Sequence, residues 1–291
     1  MMRFEPVGRL SLGLGEGPVW DERRNLVFLC DIPTGRLLAI QLGDSQVDEW
    51  VLGTNVCSLG LCESGRLVVS LAREIILFDP ETGERETLAH LDGELETNRL
   101  NDGKVGPDGA FWVGTTDQRP ERQPICSLYR IGADGKFAVK KSGLLISNGL
   151  AWSPDGASMY HSDSGGQWIE RHDFDAATGE IGEGVRIATP GEADGRPDGG
   201  ATDADGFYWS AGVSAGCLNR YSPEGVVAGK YPLPVPTPTM PCFCGPDLKT
   251  LLVTSHRYLS QERLEAYPLS GAVLVASSPV AGVPVARMKG F

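Results

Sequence analysis

Paired cysteines are missing from this chain: its seven, Cys30, Cys57, Cys62, Cys126, Cys217, Cys242 and Cys244, are odd in number and never fall in a Cys-x-x-Cys spacing. Neither a disulfide framework nor a zinc ribbon is indicated, and reduced thiols in a cytosol are the expectation. No run approaches the roughly 18 apolar residues of a spanning helix. Met1 to Leu12 carries Arg3, Glu5 and Arg9, which rules it out as a signal peptide. Positive charge is scarce, with 26 Lys and Arg against 38 Asp and Glu, a formal net charge of -12 and a pI near 4.8. Nucleic acid and anionic membranes would be repelled over most of such a surface, whereas a neutral small molecule or a cation suits it. Histidines number only four, His90, His161, His172 and His256, at unrelated repeat positions, which argues against a histidine-based nucleophilic dyad. A sustained helical period is also absent, which argues against a doubly wound fold.

What is present is repetition. Hydrophobic residues at 41% suffice for a sizeable core, and 38 Gly with 20 Pro point to many tight turns. Six segments share one plan: an apolar stretch, a turn built on Asp, Ser or Gly, and a second stretch of aromatic and β-branched residues. Val19-Trp20 runs into Val27-Phe28, Leu59-Gly60-Leu61 into Val68-Val69, and Lys104-Val105 into Phe111-Trp112. Ala151-Trp152 runs into Met159-Tyr160, Ala201-Thr202 into Tyr208-Trp209, and Cys242-Phe243 into Leu251-Leu252. The turns include Pro107-Asp108-Gly109, Pro154-Asp155-Gly156 and Asp205-Gly206, which supply the positive φ of hairpins. A third apolar run and a further turn follow in several units, as in Ile75 to Phe78 before Asp79-Pro80. Four short antiparallel strands repeated six times, at a period of about 40–50 residues, predict an all-β, six-bladed β-propeller. Residues 1–291 are expected to form one domain, with Met1 to Val7 and Ala272 to Ala276 sharing a blade so that no edge strand stays open.

Blades are related by rotation about a channel, so equivalent repeat positions converge on one ring. Counting seven back from the turn gives Asn101, Asn148 and Asp198 from Asp108, Asp155 and Asp205, and Cys57 and Met240 from Ser64 and Asp247. The first unit aligns without gaps on the fourth, Trp20 on Trp152, and contributes Glu16. Glu16, Asn101, Asn148 and Asp198 are hard oxygen donors where a small or apolar residue would ordinarily stand. Two carboxylates and two amides match a divalent cation: calcium, magnesium, manganese, zinc or ferrous iron. The plainer alternative is that these side chains bond neighbouring backbone amides in a wet channel.

The same residues carry a resemblance that covers nearly the whole chain, to the senescence-marker-protein, gluconolactonase and luciferin-regenerating-enzyme family of six-bladed propellers. Leu14-Gly15-Glu16-Gly17-Pro18-Val19-Trp20 is similar to the family's opening motif, whose Glu is a metal ligand. Arg99-Leu100-Asn101-Asp102-Gly103-Lys104 resembles its Arg-Pro-Asn-Asp-Gly run, where the Arg and the first Asn address substrate, with Leu100 in place of Pro. Ser147-Asn148-Gly149-Leu150-Ala151-Trp152 resembles the motif of the Asn ligand, and Pro197-Asp198-Gly199 that of an Asp serving as ligand and base. Asp117 to Pro124 matches none of these motifs. The resemblance implies a metal-dependent lactonase acting on sugar-acid lactones such as gluconolactone or pentonolactones, with metal on Glu16, Asn148 and Asp198, substrate on Arg99 and Asn101, and Asp198 catalytic; the cytoplasmic expectation rests on the cysteines and the missing signal and spanning segments. A metal-dependent esterase or organophosphate hydrolase, or a non-catalytic calcium-binding regulatory propeller, are the rival functions.

Duller expectations attach to other conspicuous residues. Asp31 and Asp163 occupy equivalent places after second strands, where a carboxylate ties a strand end to backbone amides. Trp20, Trp112, Trp152 and Trp209 are read as inter-blade packing, and Trp168 as a loop residue able to stack on a sugar.

Overall fold

A computed structural model describes residues 2–43, 46–93 and 95–291; Met1, part of the stretch expected to close the ring, lies outside the described residues. The strands assemble into six small antiparallel sheets, the six blades of a propeller. The first blade runs outward through Gly15–Asp21, Leu26–Asp31, Arg36–Gln41 and Val47–Val51. The innermost strands of the others are Val56–Cys62, Asn98–Val105, Ser147–Trp152, Pro197–Thr202 and Pro238–Cys244. Each packs against the innermost strand of the next blade, and the sixth against the first. In the sixth blade Glu5–Pro6 pairs antiparallel with Leu274–Ser277, Glu5 opposite Val275 and Pro6 opposite Leu274. N-terminal backbone therefore covers the outer edge of a blade built mostly from the chain's last third.

Blades adhere through aromatic side chains that alternate toward the neighbouring sheet. Trp112 of the third blade meets Trp152 of the fourth edge-on at 6.1 Å, and Trp209 of the fifth meets Phe243 of the sixth at 5.7 Å. Such buried rings contribute area and a preferred edge-to-face geometry together. Turn aspartates hold two of them in place. Asp108 accepts from Trp112 Nε1 and Arg130 Nε, while Asp203 accepts from Trp209 Nε1 and Arg220 Nε. The aspartates that close the hairpins thus also fix the rotamers of the packing tryptophans.

Two features were not read from the sequence. Arg287–Met288 adds to the second blade, pairing parallel with the innermost strand Val56–Cys62. The tail before it, residues 283–286, lines a cavity of about 240 Å3 with Val105, Trp152 and Phe243, at the end of the channel where the innermost strands finish. Gln261–Ala266, the only α-helix among the described residues, is capped by Ser260 and buries no residue. At six residues it is too short to impose a helical period on the sequence.

Candidate functional site

At the opposite end, where the innermost strands begin, a cavity of about 200 Å3 is lined by Glu16, Arg99, Asn101, Asn148 and Asp198. All the sequence-predicted site residues therefore face one space. Of the ring positions without hard oxygen donors, Cys57 and Met240 are each 1% exposed and do not line it.

A repeated backbone device positions the ring. In every blade the innermost strand carries one residue more than its partner at this level, between Glu16 and Val19, Val56 and Ser58, Leu100 and Gly103, Asn148 and Ala151, Pro197 and Gly200, and Pro238 and Pro241. Each ring residue sits at or inside this bulge. A bulge breaks the period-two alternation and re-aims one side chain, here from the sheet face toward the channel. Glu16 and Asn148 are each followed by a glycine at positive φ, Gly17 at 57° and Gly149 at 71°, which lets the strand resume beyond the bulge.

The polar side chains form a chain of hydrogen bonds across three blades. Arg99 Nη1 donates to Asn101 Oδ1 at 2.9 Å, Asn101 Nδ2 to Asn148 Oδ1 at 2.8 Å, and Asn148 Nδ2 to Asp198 Oδ1 at 2.7 Å. Because a guanidinium can only donate and a carboxylate only accepts, the two ends dictate both amide orientations. Asn148 Oδ1 keeps one lone pair beyond the bond from Asn101. Its Nδ2 also donates to Ser164 Oγ at 2.7 Å.

Negative charge is concentrated here. Burial pushes the Glu16 carboxyl well above the usual range, and the Asp198 and Asp102 charges push it further. Burial, and then Asp102, raise Asp198 to about 7. Asp102, directly after Asn101, is 5% exposed; its Oδ2 accepts from Leu150 N at 3.2 Å, while Oδ1 has no hydrogen-bond partner. Burial raises its carboxyl too, opposed by the charge of Lys104. Sequence reasoning missed Asp102, since nothing in the motif tells which of two adjacent polar residues turns inward beneath the other.

Carboxylates gathered in a buried cavity need a counter-charge, and the donors fit a divalent cation. Among the described residues no three His, Cys, Asp or Glu side chains form a metal-binding group. A cation at the mouth would depend on the free lone pair of the Asn148 carboxamide besides Glu16 and Asp198, a hard oxygen set that water can complete.

Other expectations resolve clearly. Asp31 Oδ1 accepts from Leu14 N, and Asp163 accepts from the amides of Leu145, Ile146, Gly165 and Gly166, so both carboxylates tie strand ends. Trp168 corrects the loop reading: it opens the strand Trp168–Asp175, is 8% exposed, and lies beneath the Arg186 and Lys141 cations, outside the mouth. Ser147 Oγ and His161 Nε2 approach to 2.8 Å, but neither side chain reaches solvent, so the pair is packing rather than a nucleophilic dyad. In the unplaced stretch Asp117 to Pro124, Asp117 grips Arg119 in a two-toothed fork, with Nε to Oδ1 at 2.9 Å and Nη2 to Oδ2 at 2.8 Å. Arg122 of that stretch lines the mouth together with Arg196, His256 and Tyr258. Arg196 stands two residues before Asp198 as Arg99 stands two before Asn101, an offset the sequence reading did not use, whereas Arg122 and Tyr258 stand on loops between strands.

Comparison with known proteins shows the family and agrees with the fold. Residues 14–257 match the SMP-30/Gluconolactonase/LRE-like region. The chain is 39% identical over 272 residues to a 6-deoxy-6-sulfogluconolactonase of Pseudomonas putida, covering 92% of each chain. It is 31% identical over 302 residues to an L-arabinolactonase of Azospirillum brasilense, covering 100% of this chain and 99% of that one. The crystal structure of a calcium-binding protein, regucalcin, from Agrobacterium tumefaciens superposes with a TM-score of 0.94 at 27% identity, over 99% of this chain and 98% of that one.

Proposed function

The chain belongs to the SMP-30/gluconolactonase/LRE-like family, and from that premise we propose that it is a metal-dependent lactonase that opens sugar-acid lactones. The observation carrying the proposal is that Glu16, Asn148 and Asp198 line one cavity with Arg99 and Asn101. Relatives named as lactonases for a sulfogluconolactone and for an arabinolactone support the reaction class.

In this proposal Glu16, Asn148 and Asp198 hold a divalent ion, one of calcium, magnesium, manganese, zinc or ferrous iron. When bound, the ion supplies Lewis acidity toward the lactone carbonyl. The chain's own residues do the rest. Asp198 takes a proton from the attacking water on a carboxylate oxygen as the carbon–oxygen bond forms. It returns that proton to the ring oxygen as the ester bond breaks, leaving a hydroxy acid. Arg99, steered by its bond to Asn101 Oδ1, faces developing negative charge and sugar hydroxyls, and Asn101 orients the same hydroxyls. Ten of the fifteen residues lining the cavity are charged or polar, which favours a polyhydroxylated substrate over a bulky apolar ester. The proposal also takes residues 1–291 as one domain and the cytosol as its compartment, in keeping with seven free cysteines, all buried. No helix among the described residues is long and apolar enough to cross a membrane.

The test is hydrolysis of a panel of aldonolactones of different ring size and stereochemistry, 6-substituted gluconolactones included, by protein stripped of metal and reloaded with each ion. Turnover restored by at least one ion supports the proposal. Absence of turnover on every lactone, with intact fold, would return the esterase and the regulatory propeller to first place.

A further inference from the structure

Nine of the nineteen arginines of this acidic protein pair with carboxylates among the described residues. Arg24 and Arg287 pair with Asp21, Arg36 with Asp31, Arg130 with Asp108, and Arg220 with Asp203. Two at the mouth are different. Arg122 and Arg196 line the cavity that holds Glu16 and Asp198, and among the described residues neither guanidinium makes a hydrogen bond or an ion pair.

The contrast within one loop is direct. Arg119 is locked onto Asp117, whereas Arg122, three residues on, is exposed and reaches the cavity. Arg196 is exposed two residues before Asp198, with its backbone N–H anchored by Ser214 Oγ at 3.1 Å. It shares the cavity with Glu16, Asp198 and His256.

Charge accounting then points to the ligand. Glu16 and Asp198 bring two carboxyls to the cavity, which ionised would be matched by one divalent cation. Arg99 donates only to neutral acceptors, Leu100 O, Asn101 Oδ1 and Cys57 Sγ. The mouth therefore carries three guanidiniums, Arg99, Arg122 and Arg196, without an ion-pair partner among the described residues, in a molecule whose formal net charge is -12. A neutral lactone would leave all three unmatched. A substrate bearing an oxyanion would not, since guanidiniums present planar forks that match sulfonate, phosphate and carboxylate oxygens.

We infer that Arg122 and Arg196 form an anion subsite at the rim, so that the substrate of this protein is a sugar lactone carrying an oxyanion on the end of the molecule remote from its reacting carbonyl. The inference rests on the lactonase reading of the site below it and adds the substrate's charge and the residues that recognise it.

The experiment compares D-gluconolactone with its 6-deoxy-6-sulfo and 6-phospho analogues on metal-loaded protein, as wild type, Arg122→Gln, Arg196→Gln and the Lys variant at each position. Calorimetric binding of gluconate and 6-phosphogluconate gives a second readout that needs no turnover. Wild type should prefer an anionic lactone through KM, and each Gln change should raise that KM by roughly tenfold or more, the scale of one charge-assisted hydrogen bond. KM for gluconolactone should move far less, Lys should restore part of the loss, and added salt should weaken the preference. The better of the two analogues identifies the oxyanion. Equal KM values for neutral and anionic lactones in an active wild type would overturn the subsite and leave the lactonase standing, as would Gln variants that weaken both substrates alike. No turnover of any lactone would overturn the lactonase reading and the subsite with it.

Discussion

Asn148 Nδ2 donates to Asp198 Oδ1 at 2.7 Å, joining the innermost strands of the fourth and fifth blades at the mouth of the channel. The bond holds the proposed base at a fixed distance from a proposed ligand and leaves its second oxygen free. Asp198→Asn keeps the shape but removes both the negative charge and the proton acceptor. Lactone hydrolysis should fall by roughly a thousandfold or more, within the range that positioned acid–base groups contribute. Glu16→Gln should likewise abolish activity through lost cation affinity, which calorimetric titration with the activating ion measures. Full activity in either variant would remove the mechanism.

The glycine after Asn148 offers a structural test of the bulge. Gly149 has φ 71°, and a Cβ there would run into the Ser162 and Tyr208 hydroxyls. Tyr208 cannot retreat easily, since its hydroxyl donates to Gly149 O at 2.9 Å and its ring stacks on Tyr160 at 4.8 Å. Gly149→Ala should destabilise by about 2–4 kcal/mol, the left-handed penalty and the overpacking combined. Gly83→Ala is the control, with φ 76° and nothing within 4 Å of the added methyl. It should cost only the backbone part, about 1 kcal/mol. Denaturant unfolding of both separates the two contributions.

The blades were legible because a propeller repeats its hydrophobic pattern, and six copies of one plan leave little ambiguity about which runs are strands. The ring was legible for the same reason: rotation turns equal sequence offsets into convergence, which is how Glu16, Asn101, Asn148 and Asp198 were found. The bulges that aim them were not, because one extra residue per innermost strand disturbs periodicity no more than an ordinary turn does. Trp168 was misplaced as a loop residue because Gly165, Gly166 and Gln167 before it read as a turn, and no pattern says where a turn ends. Arg122 carries no repeat signature, Arg196 shares the offset of Arg99 from its ring residue without having been read so, and only coordinates separate the two from a partnered residue such as Arg119.

The C-terminal tail is joined to the first blade by charge as well as backbone. Arg287 Nη2 donates to Asp21 Oδ1 at 2.6 Å and to Glu22 Oε2 at 2.9 Å, and the Asp21 side chain is wholly buried. Burial alone would raise the Asp21 carboxyl, but the bonds from Arg287 and Arg24 outweigh it and hold it below the usual range. Arg287→Ala should therefore cost about 1.5–3 kcal/mol at pH 7, with Arg24 still in place. A depressed carboxylate contributes stability above its unfolded pKa of about 3.9 and loses it as pH falls through the folded value. The deficit of the variant should shrink between pH 4 and lower pH; an unchanged deficit would show that packing, not the ion pair, is responsible.

His161 gives a proton linkage of the same sign, set at higher pH, within the same fold. Its ring is fully buried, with Nε2 beside Ser147 Oγ at 2.8 Å, Nδ1 without a hydrogen-bond partner, and Trp168 edge-on at 5.6 Å. Burial first, and then repulsion from His172, lower it to about 3. The unfolded imidazole titrates near 6.5, so between about 6.5 and 3 the unfolded chain holds the extra proton and stability falls as pH drops. The slope from this one group approaches about 1.4 kcal/mol per pH unit. His256, lowered to about 4, adds a slope of the same sign, so wild type must be read against a variant that keeps it. His161→Gln should be less stable than wild type at pH 7 through lost packing, yet lose less on acidification, so that the two unfolding free energies converge toward pH 4. Parallel curves would mean that His161 gains its proton in the folded protein as readily as in the unfolded one, which a ring sealed between two strands and a tryptophan cannot do.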